Sequence, residues 1–370
     1  MKARLVKLLL AMVPAAALIT GLGSGAQAIQ SAQVAGPASI SSVTCIGNSF
    51  CLGTGFYIKD KHSVPLSEEW NGKAWRIIPN PSGYQSDITC GGPTFCLASA
   101  TQGKNPAQEV VWNGKTWSVL SQQPPGSNIS CFSPTFCEIL NPAGGGDGAD
   151  WNGTTWQDQP TGSGDGCGGA WCTYTGVGCA SASICWNAGN YCGTTDCDGG
   201  VIYFSDIWNG TEWNSGNGSI DGRQDLACAG RSFCLKLDPP AGADITRDWG
   251  NTWQPASVNL AVACHHLGNC GWPPNSSCGT PYFCLAMPNG SAGGALVWNG
   301  KKWGFVKLAL VSGHRPSLSR PSCGGPRNCM AAGTYQLSPR GAAHPVVEHW
   351  NGKAWQVTRI VSPVTRIAQP

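Results

Sequence analysis

The sequence predicts an all-β chain, a seven-bladed β-propeller of four-stranded antiparallel blades, with six or eight blades as the alternatives. Three observations predict it. Two motifs built on rare residues alternate seven times along the chain. Their first Cys recurs at intervals of 45, 41, 48, 49, 50 and 45 residues, the length of one four-stranded blade. Gly (51) and Pro (26) make up about a fifth of the 370 residues, which disfavours long helices. A hydrophobic content of 41% supplies enough apolar material for a core.

The elements follow in order. Residues 1–28 carry a basic start (Lys2, Arg4, Lys7), an apolar run from Leu8 to Leu22 and the small-x-small string Ala26-Gln27-Ala28. This is the layout of a cleaved secretory signal peptide, and the apolar run is short for a membrane span; an uncleaved anchor is the alternative. Residues 29–40 read as a lead-in, 41–362 as the propeller and 363–370 as a tail. The expected product is a secreted, extracellular monomer with no stable membrane span after cleavage. Beyond residue 28 the chain holds 20 basic and 20 acidic side chains, so nothing electrostatic favours a nucleic-acid partner.

The first motif is Cys-x5-Cys, at Cys45/Cys51, Cys90/Cys96, Cys131/Cys137, Cys179/Cys185, Cys228/Cys234, Cys278/Cys284 and Cys323/Cys329. The second is Trp-Asn-Gly-x-x-Trp, at Trp70/Trp75, Trp112/Trp117, Trp151/Trp156, Trp208/Trp213, Trp298/Trp303 and Trp350/Trp355. A shortened version, running from Asp248 to Trp253 with Trp249 as its first Trp, fills the fifth place. In the second repeat, Ile88–Cys90 and Phe95–Ala98 read as strands around a turn at Gly91–Thr94. Glu109–Trp112 and Thr116–Leu120 read as a second hairpin. Asn113-Gly114 suggests a two-residue type I′ loop, which would set Trp112 and Trp117 diagonally on one face, to pack between blades. The Cys pairs flank a tight turn, so local disulfides across each hairpin are expected, with cross-blade pairing as the competitor. The six other Cys pair most simply as Cys167/Cys172, Cys192/Cys197 and Cys264/Cys270, the last a degenerate copy of the first motif.

Thr246-Arg247-Asp248-Trp249-Gly250-Asn251-Thr252-Trp253 resembles the Asp-box, which its family (the BNR-repeat propellers) carries on the hairpin between the third and fourth strands of a blade. The other six Trp motifs look like that hairpin with one residue inserted; Asp150 to Trp156 is the nearest. Residues 41–360 as a whole resemble exported actinobacterial Cys/Trp-repeat proteins. The resemblance implies a propeller fold and a structural role for the box. Sialidases of that family would imply an Arg triad, a Tyr/Glu pair and an early Arg-Ile-Pro. The nearest string, Arg76-Ile77-Ile78-Pro79, has an extra Ile and follows a Trp hairpin, and eight of the ten Arg beyond residue 28 lie after residue 230. Glu69, Glu109, Glu348, Asp150, Asp206 and Asp248 recur near the repeat Trp positions and read as solvated strand or turn residues.

Two stretches depart from the repeat, 161–200 and 262–274. Functional loops in repeat proteins tend to be such insertions on one face. Their surplus rings and imidazoles, Trp171, Trp186, Tyr191, His265, His266 and Trp272, are the candidate ligand contacts, provided that both stretches share a face. The Cys264-His265-His266 string could hold zinc, but an exported chain favours a disulfide there. Asp196-Cys197-Asp198 and Gly146-Asp147-Gly148 lack a full calcium loop. No metal or other cofactor and no catalytic residue is therefore assigned. The expected function is a non-catalytic binding or scaffold module for extracellular glycan or protein. The alternative is a glycosidase or polysaccharide lyase, which needs two carboxylates converging from a set such as Asp165, Asp196, Asp198 and Asp225.

Overall fold

The structure, a computed structural model, describes residues 38–361 except 81–82, 102–107, 123–127, 141–146, 161–171, 193–200, 216–224, 231, 239–241, 249, 257–270, 290–292, 339–340 and 342. Every described regular element is a strand. Seven antiparallel meanders follow one another at residues 38–77, 84–119, 128–160, 172–215, 225–255, 271–307 and 317–358, giving a seven-bladed β-propeller. Blade 7 differs in one respect. Its first strand is split into Ser317–Leu318 and Ser322–Gly325, both paired with Asn328–Gln336. Pro321 has no N–H to give a ladder, and Ser319 keeps the gap attached by donating its N–H (2.7 Å) and hydroxyl (2.8 Å) to the Ala332 carbonyl.

Each blade is organised by one cross-strand row. In blade 1, Cys45 opposes Cys51, Cys51 opposes Trp70 and Trp70 opposes Trp75, from the inner strand to the outer. The same row recurs in blades 2, 3, 4, 6 and 7. All seven repeated Cys pairs are local disulfides, each with its Cα atoms 4.0 Å apart.

The seven local pairs are the expected ones, and the structure adds their depth. The second Cys of every pair (Cys51, Cys96, Cys137, Cys185, Cys234, Cys284 and Cys329) is 0% exposed. Each lies on the second strand of its blade, hydrogen-bonded to a strand on either side, with its side chain turned towards a neighbouring blade. The sulfurs are therefore core atoms. Cys137 packs with Leu97 of blade 2, Cys284 with Leu235 of blade 5 and Cys329 with Leu285 of blade 6. Cys185 packs with Trp208, Trp213 and Phe136 of blade 3. None of these seven can meet a ligand; their role is to fill the inter-blade layer as well as to close the hairpin. Cys167, Cys197, Cys264 and Cys270 lie outside the described residues, as do the side chains of Cys172 and Cys192, and with them the three remaining pairings.

Successive side chains on a strand alternate faces, so this row faces one neighbouring blade and the residue after the second Cys faces the other. Cys45, Cys51, Trp70 and Trp75 pack with Met330, Ala332 and Val347 of blade 7. On the other side, Leu52 packs with Cys90, Cys96 and Trp112 of blade 2. The core is thus a ring of inter-blade layers.

The Trp hairpins differ from the sequence expectation. The two Trp of each motif are directly opposed, not diagonal, with centroids 5.6–6.1 Å apart and ring planes tilted by 47–56°. The connection is a four-residue loop and not a type I′ turn. Its Gly takes the positive φ, 88–97°, while the Asn does not. The Asn side chain supplies what the shorter turn would have made from backbone. In all six copies its Oδ1 accepts the N–H of the residues two and three ahead, at 2.9–3.1 Å, as with Asn113 from Lys115 and Thr116.

The fifth hairpin is longer than the others, not shorter. Cys234 opposes Thr246, so Thr246, and not Trp249, holds the place of the first Trp. Six residues then separate it from Trp253. Asp248 closes this loop, its Oδ1 accepting the Thr252 N–H (3.0 Å) and its Oδ2 the Thr252 hydroxyl (2.6 Å). Thr246 Oγ1 accepts the Gly250 N–H (2.9 Å) and donates to Asp248 Oδ1 (2.7 Å).

Candidate functional site

The first strands of all seven blades enclose a central channel of about 690 Å³. Its wall is largely backbone and small side chains. The position before the first Cys is Thr44, Thr89, Ser130, Gly178, Ala227, Ser277 and Ser322 in turn. Four of these hydroxyls tie neighbouring blades together by accepting the N–H of the next blade's first Cys. Cys131 donates to Thr89 (2.9 Å), Cys179 to Ser130 (2.9 Å), Cys323 to Ser277 (3.0 Å) and Cys45 to Ser322 (2.9 Å). Sequence reasoning missed this ring, although Ser/Thr-Cys opens five of the seven repeats. Among the described residues, Arg320 is the one ionisable side chain on the wall, in the gap that splits blade 7's first strand.

Blade 4 breaks the pattern. Trp186 occupies the place that Leu52, Leu97, Leu235 and Leu285 hold in other blades, directly after the second Cys. It is paired with Gly178 on the inner strand, and its ring lies over Gly178 and Gly176. A Cβ on Gly178 would come within 2.4 Å of Trp186 Nε1, so the two glycines are what let an indole from the second strand reach the channel wall. Trp186 is 6% exposed and packs with Leu226 and Cys234 of blade 5.

Of the other candidate contacts, Tyr191 lies on the strand Ile184–Cys192 and Trp272 on Gly271–Thr280. Their side chains lie outside the described residues, as do Trp171, His265 and His266. The stretch 161–200 is also more regular than an insertion loop: Cys172–Ser181 and Ile184–Cys192 are the long inner strands of blade 4.

The acidic residues of the repeat correct a second expectation. Glu109, Asp206 and Glu348 are buried, not solvated, as is Glu68. Glu68, Asp206 and Glu348 each stand two residues before a repeat Trp, and so share the face that Trp buries against the preceding blade. Burial pushes the Glu68 carboxyl up to about 8. Burial pushes Glu348 up to about 7, opposed by the Ala309 N–H, which donates to its Oε2 at 3.1 Å. Glu138 takes the Leu place of blade 3. Burial holds its carboxyl well above the usual range, and the directly opposed Asp150 adds to the effect. Glu69, Asp150 and Asp248 are not fully buried, and Glu69 is paired with Arg76 at 2.9 Å. None of these carboxyls lines the channel.

No protein-family model matches the chain, and no curated protein does. Solved structures match in fold. The chain is similar to the β-propeller domain of the Trilobed protease from Pyrococcus furiosus, which has an open velcro topology (9% identity, TM-score 0.55, 90% of this chain and 100% of that one). It is similar to YCF48 bound to a D1 peptide (12% identity, TM-score 0.53, 86% and 95%). It is also similar to an acylaminoacyl peptidase of Pyrococcus horikoshii (8% identity, TM-score 0.52, 88% and 52%). At these identities the likeness establishes the fold alone.

Proposed function

We propose that the chain is an exported, non-catalytic binding or scaffold module for extracellular glycan or protein, with the central channel as its binding surface. The observation that carries this reading is the chemistry of the channel wall. Hydroxyls, backbone groups and the edge of one indole suit a neutral polar ligand, with the indole edge offering an apolar contact and the wall offering donors and acceptors. The carboxyls with raised pKa values, which acid–base chemistry would draw on, are packed between blades instead. Export is supported by the leader-like residues 1–28 and by a disulfide in every repeat, a usage that belongs to oxidising compartments. The similar propellers are found both with a bound peptide and within peptidases, so they favour no ligand class.

A glycan array run beside a hydrolysis screen on cell-wall polysaccharides tests the reading. Trp186→Leu installs the residue of four other blades and should abolish binding of the captured ligand while the fold stays intact. Turnover of any polysaccharide, or ligand binding unchanged in Trp186→Leu, would defeat it.

A further inference from the structure

The balance of 20 acidic and 20 basic side chains beyond residue 28 conceals a strong segregation. Residues 128–255, blades 3 to 5, carry 14 acidic and 4 basic side chains. Residues 271–361, blades 6 and 7, carry 9 basic side chains and one acidic, and that one is the buried Glu348. The ring is therefore electrically polarised across its diameter.

The basic side is displayed in an ordered way. In an antiparallel meander the first and third turns open on the same face. The Gly of each Trp hairpin indeed sits against the Cys turn of its own blade, as Gly72 does against Ser49 and Gly352 against Arg327. The third loop position of the Trp hairpins is Lys73 in blade 1, Lys115 in blade 2, Lys301 in blade 6 and Lys353 in blade 7. Lys302 follows Lys301, and Arg327 on the Cys turn lies beside the blade 7 hairpin. All six are exposed, and none forms an ion pair among the described residues. Blades 6, 7, 1 and 2 are consecutive around the ring, because blade 7 packs on blade 1. The cations thus form one arc, on rigid tips held by a Trp pair and an Asn-capped turn.

Turn chemistry does not account for the lysines. Blades 3 and 4 place Thr154 and Thr211 at the same position and make the same two bonds to Asn152 and Asn209. Nor does it account for the lack of exposed acid in blades 6 and 7. At the blade 6 end of the arc, Tyr282 stands 67% exposed on the Cys turn, packed against the hairpin at Gly300. A ring beside a line of ammonium groups is the pairing that recognises a charged sugar: one face for the pyranose, point charges for its carboxylates. The lysine tips themselves carry no apolar side chain larger than the methyl groups of Ala74 and Ala354 to insert into a lipid surface.

We infer that this arc of hairpin tips is a docking surface for a linear acidic polysaccharide, one built on uronic acids. The inference rests on the proposed function only in placing the chain outside the cell; the channel has no part in it.

The experiment measures binding of the full chain to polygalacturonate oligomers by calorimetry at low and physiological salt. Neutral galactan oligomers, vesicles containing phosphatidylglycerol and single-stranded DNA serve as the other arms. The expected result is binding to polygalacturonate that weakens with salt, with neither galactan nor vesicles nor DNA bound as tightly. The variant K73Q/K115Q/K301Q/K353Q should lose affinity about tenfold and show a flatter salt dependence. The control K59Q/K61Q, at the turn on the opposite face of blade 1, should bind as the parent does. Unchanged affinity in the quadruple variant with its melting temperature preserved would overturn the inference, as would tighter binding to vesicles, DNA or galactan. Trp186→Leu separates the two readings: it should leave polygalacturonate binding intact whether or not the channel proposal survives.

Discussion

Raising the pH from 5 to 8 should destabilise the protein through carboxyls buried between its blades. A carboxyl that is neutral in the folded chain and ionised in the unfolded one takes up a proton on folding. Stability then falls by about 1.4 kcal/mol per pH unit for each such group. Glu68 behaves this way between its unfolded value of 4.5 and about 8, and Glu348 between 4.5 and about 7. Their contribution is fully present below 4.5 and is lost as the pH rises through those folded values. Glu138 acts in the same direction. His349 opposes them: burial lowers its folded pKa below 6.5, so the unfolded chain binds the extra proton and stability gains with pH up to about 6.5. Glu68 and Glu348 together can therefore lower stability by up to about 3 kcal/mol per pH unit, less where His349 titrates and less again above about 7, where Glu348 ionises in the folded chain. Urea unfolding of the oxidised protein at half-unit steps would show it, with the m-value checked for constancy. Glu68→Gln and Glu348→Gln keep shape and the acceptor for the backbone N–H but cannot ionise, so the double variant should lose most of the slope. A double variant with the slope of the parent would refute the reasoning.

Three stability predictions follow from the blade row and the hydroxyl ring, each read from urea midpoints. Trp112→Ala empties a site buried between blades 1 and 2 and should cost about 3–5 kcal/mol, whereas Val119→Ala, exposed on the same blade, should change little. Asn113→Ala leaves the Lys115 and Thr116 N–H groups without their acceptor and should cost about 1 kcal/mol, while Asn113→Asp should cost less. Thr89→Val strands the Cys131 N–H on the inner strand and should cost about 1–3 kcal/mol; Thr89→Ser should stay within about 0.5 kcal/mol of the parent.

Blade number, strand order and the seven hairpin disulfides were legible because they rest on the spacing of Cys and Trp, residues rare enough for their order to carry meaning. The register of the Trp hairpin was not. Asn-Gly reads as the centre of a two-residue turn, whereas the direct pairing of Trp112 with Trp117 and the Asn113 side-chain bonds show that the loop is four residues long. The same miscount sets Trp249 where the structure sets Thr246. Burial of Glu68 and Glu348 was available from strand parity, since a residue two before a buried Trp must share its face; residue polarity alone points the other way. Spacing likewise pairs Cys131 with Cys137 but is silent on depth, which comes from the strands that flank Cys137 on both sides. Trp186 stands out as a surplus ring, yet its setting depends on Gly176 and Gly178 on the partner strand, a cross-strand relation that sequence distance hides. The lysine tips lie in plain view as the fourth residue of Trp-Asn-Gly-Lys, but net charge averages over the ring and erases them.

The way the ring closes explains why its polar side chains are unevenly spread. Among the described residues no strand is exchanged at the seam: the strands of blade 1 come from residues 38–77 and those of blade 7 from residues 317–358. The six other junctions are held by chain connectivity as well as by packing, whereas the junction of blades 7 and 1 has packing alone. It is here that long-range side-chain bonds gather. Asn328, fully buried, donates from Nδ2 to the carbonyls of Gly47 (3.0 Å) and Phe50 (3.2 Å). Trp75 Nε1 donates to Thr358 Oγ1 (3.1 Å), and the Cys45 N–H to Ser322 (2.9 Å). A loop closed without covalent continuity must recover its closure entropy from contacts, and directional bonds also fix the angle at which the last blade meets the first. One consequence ties stability to the basic arc. Lys301, Lys302, Lys353, Lys73 and Lys115 flank this seam on both sides, so a partner laid along the arc would span the one junction that the chain itself does not.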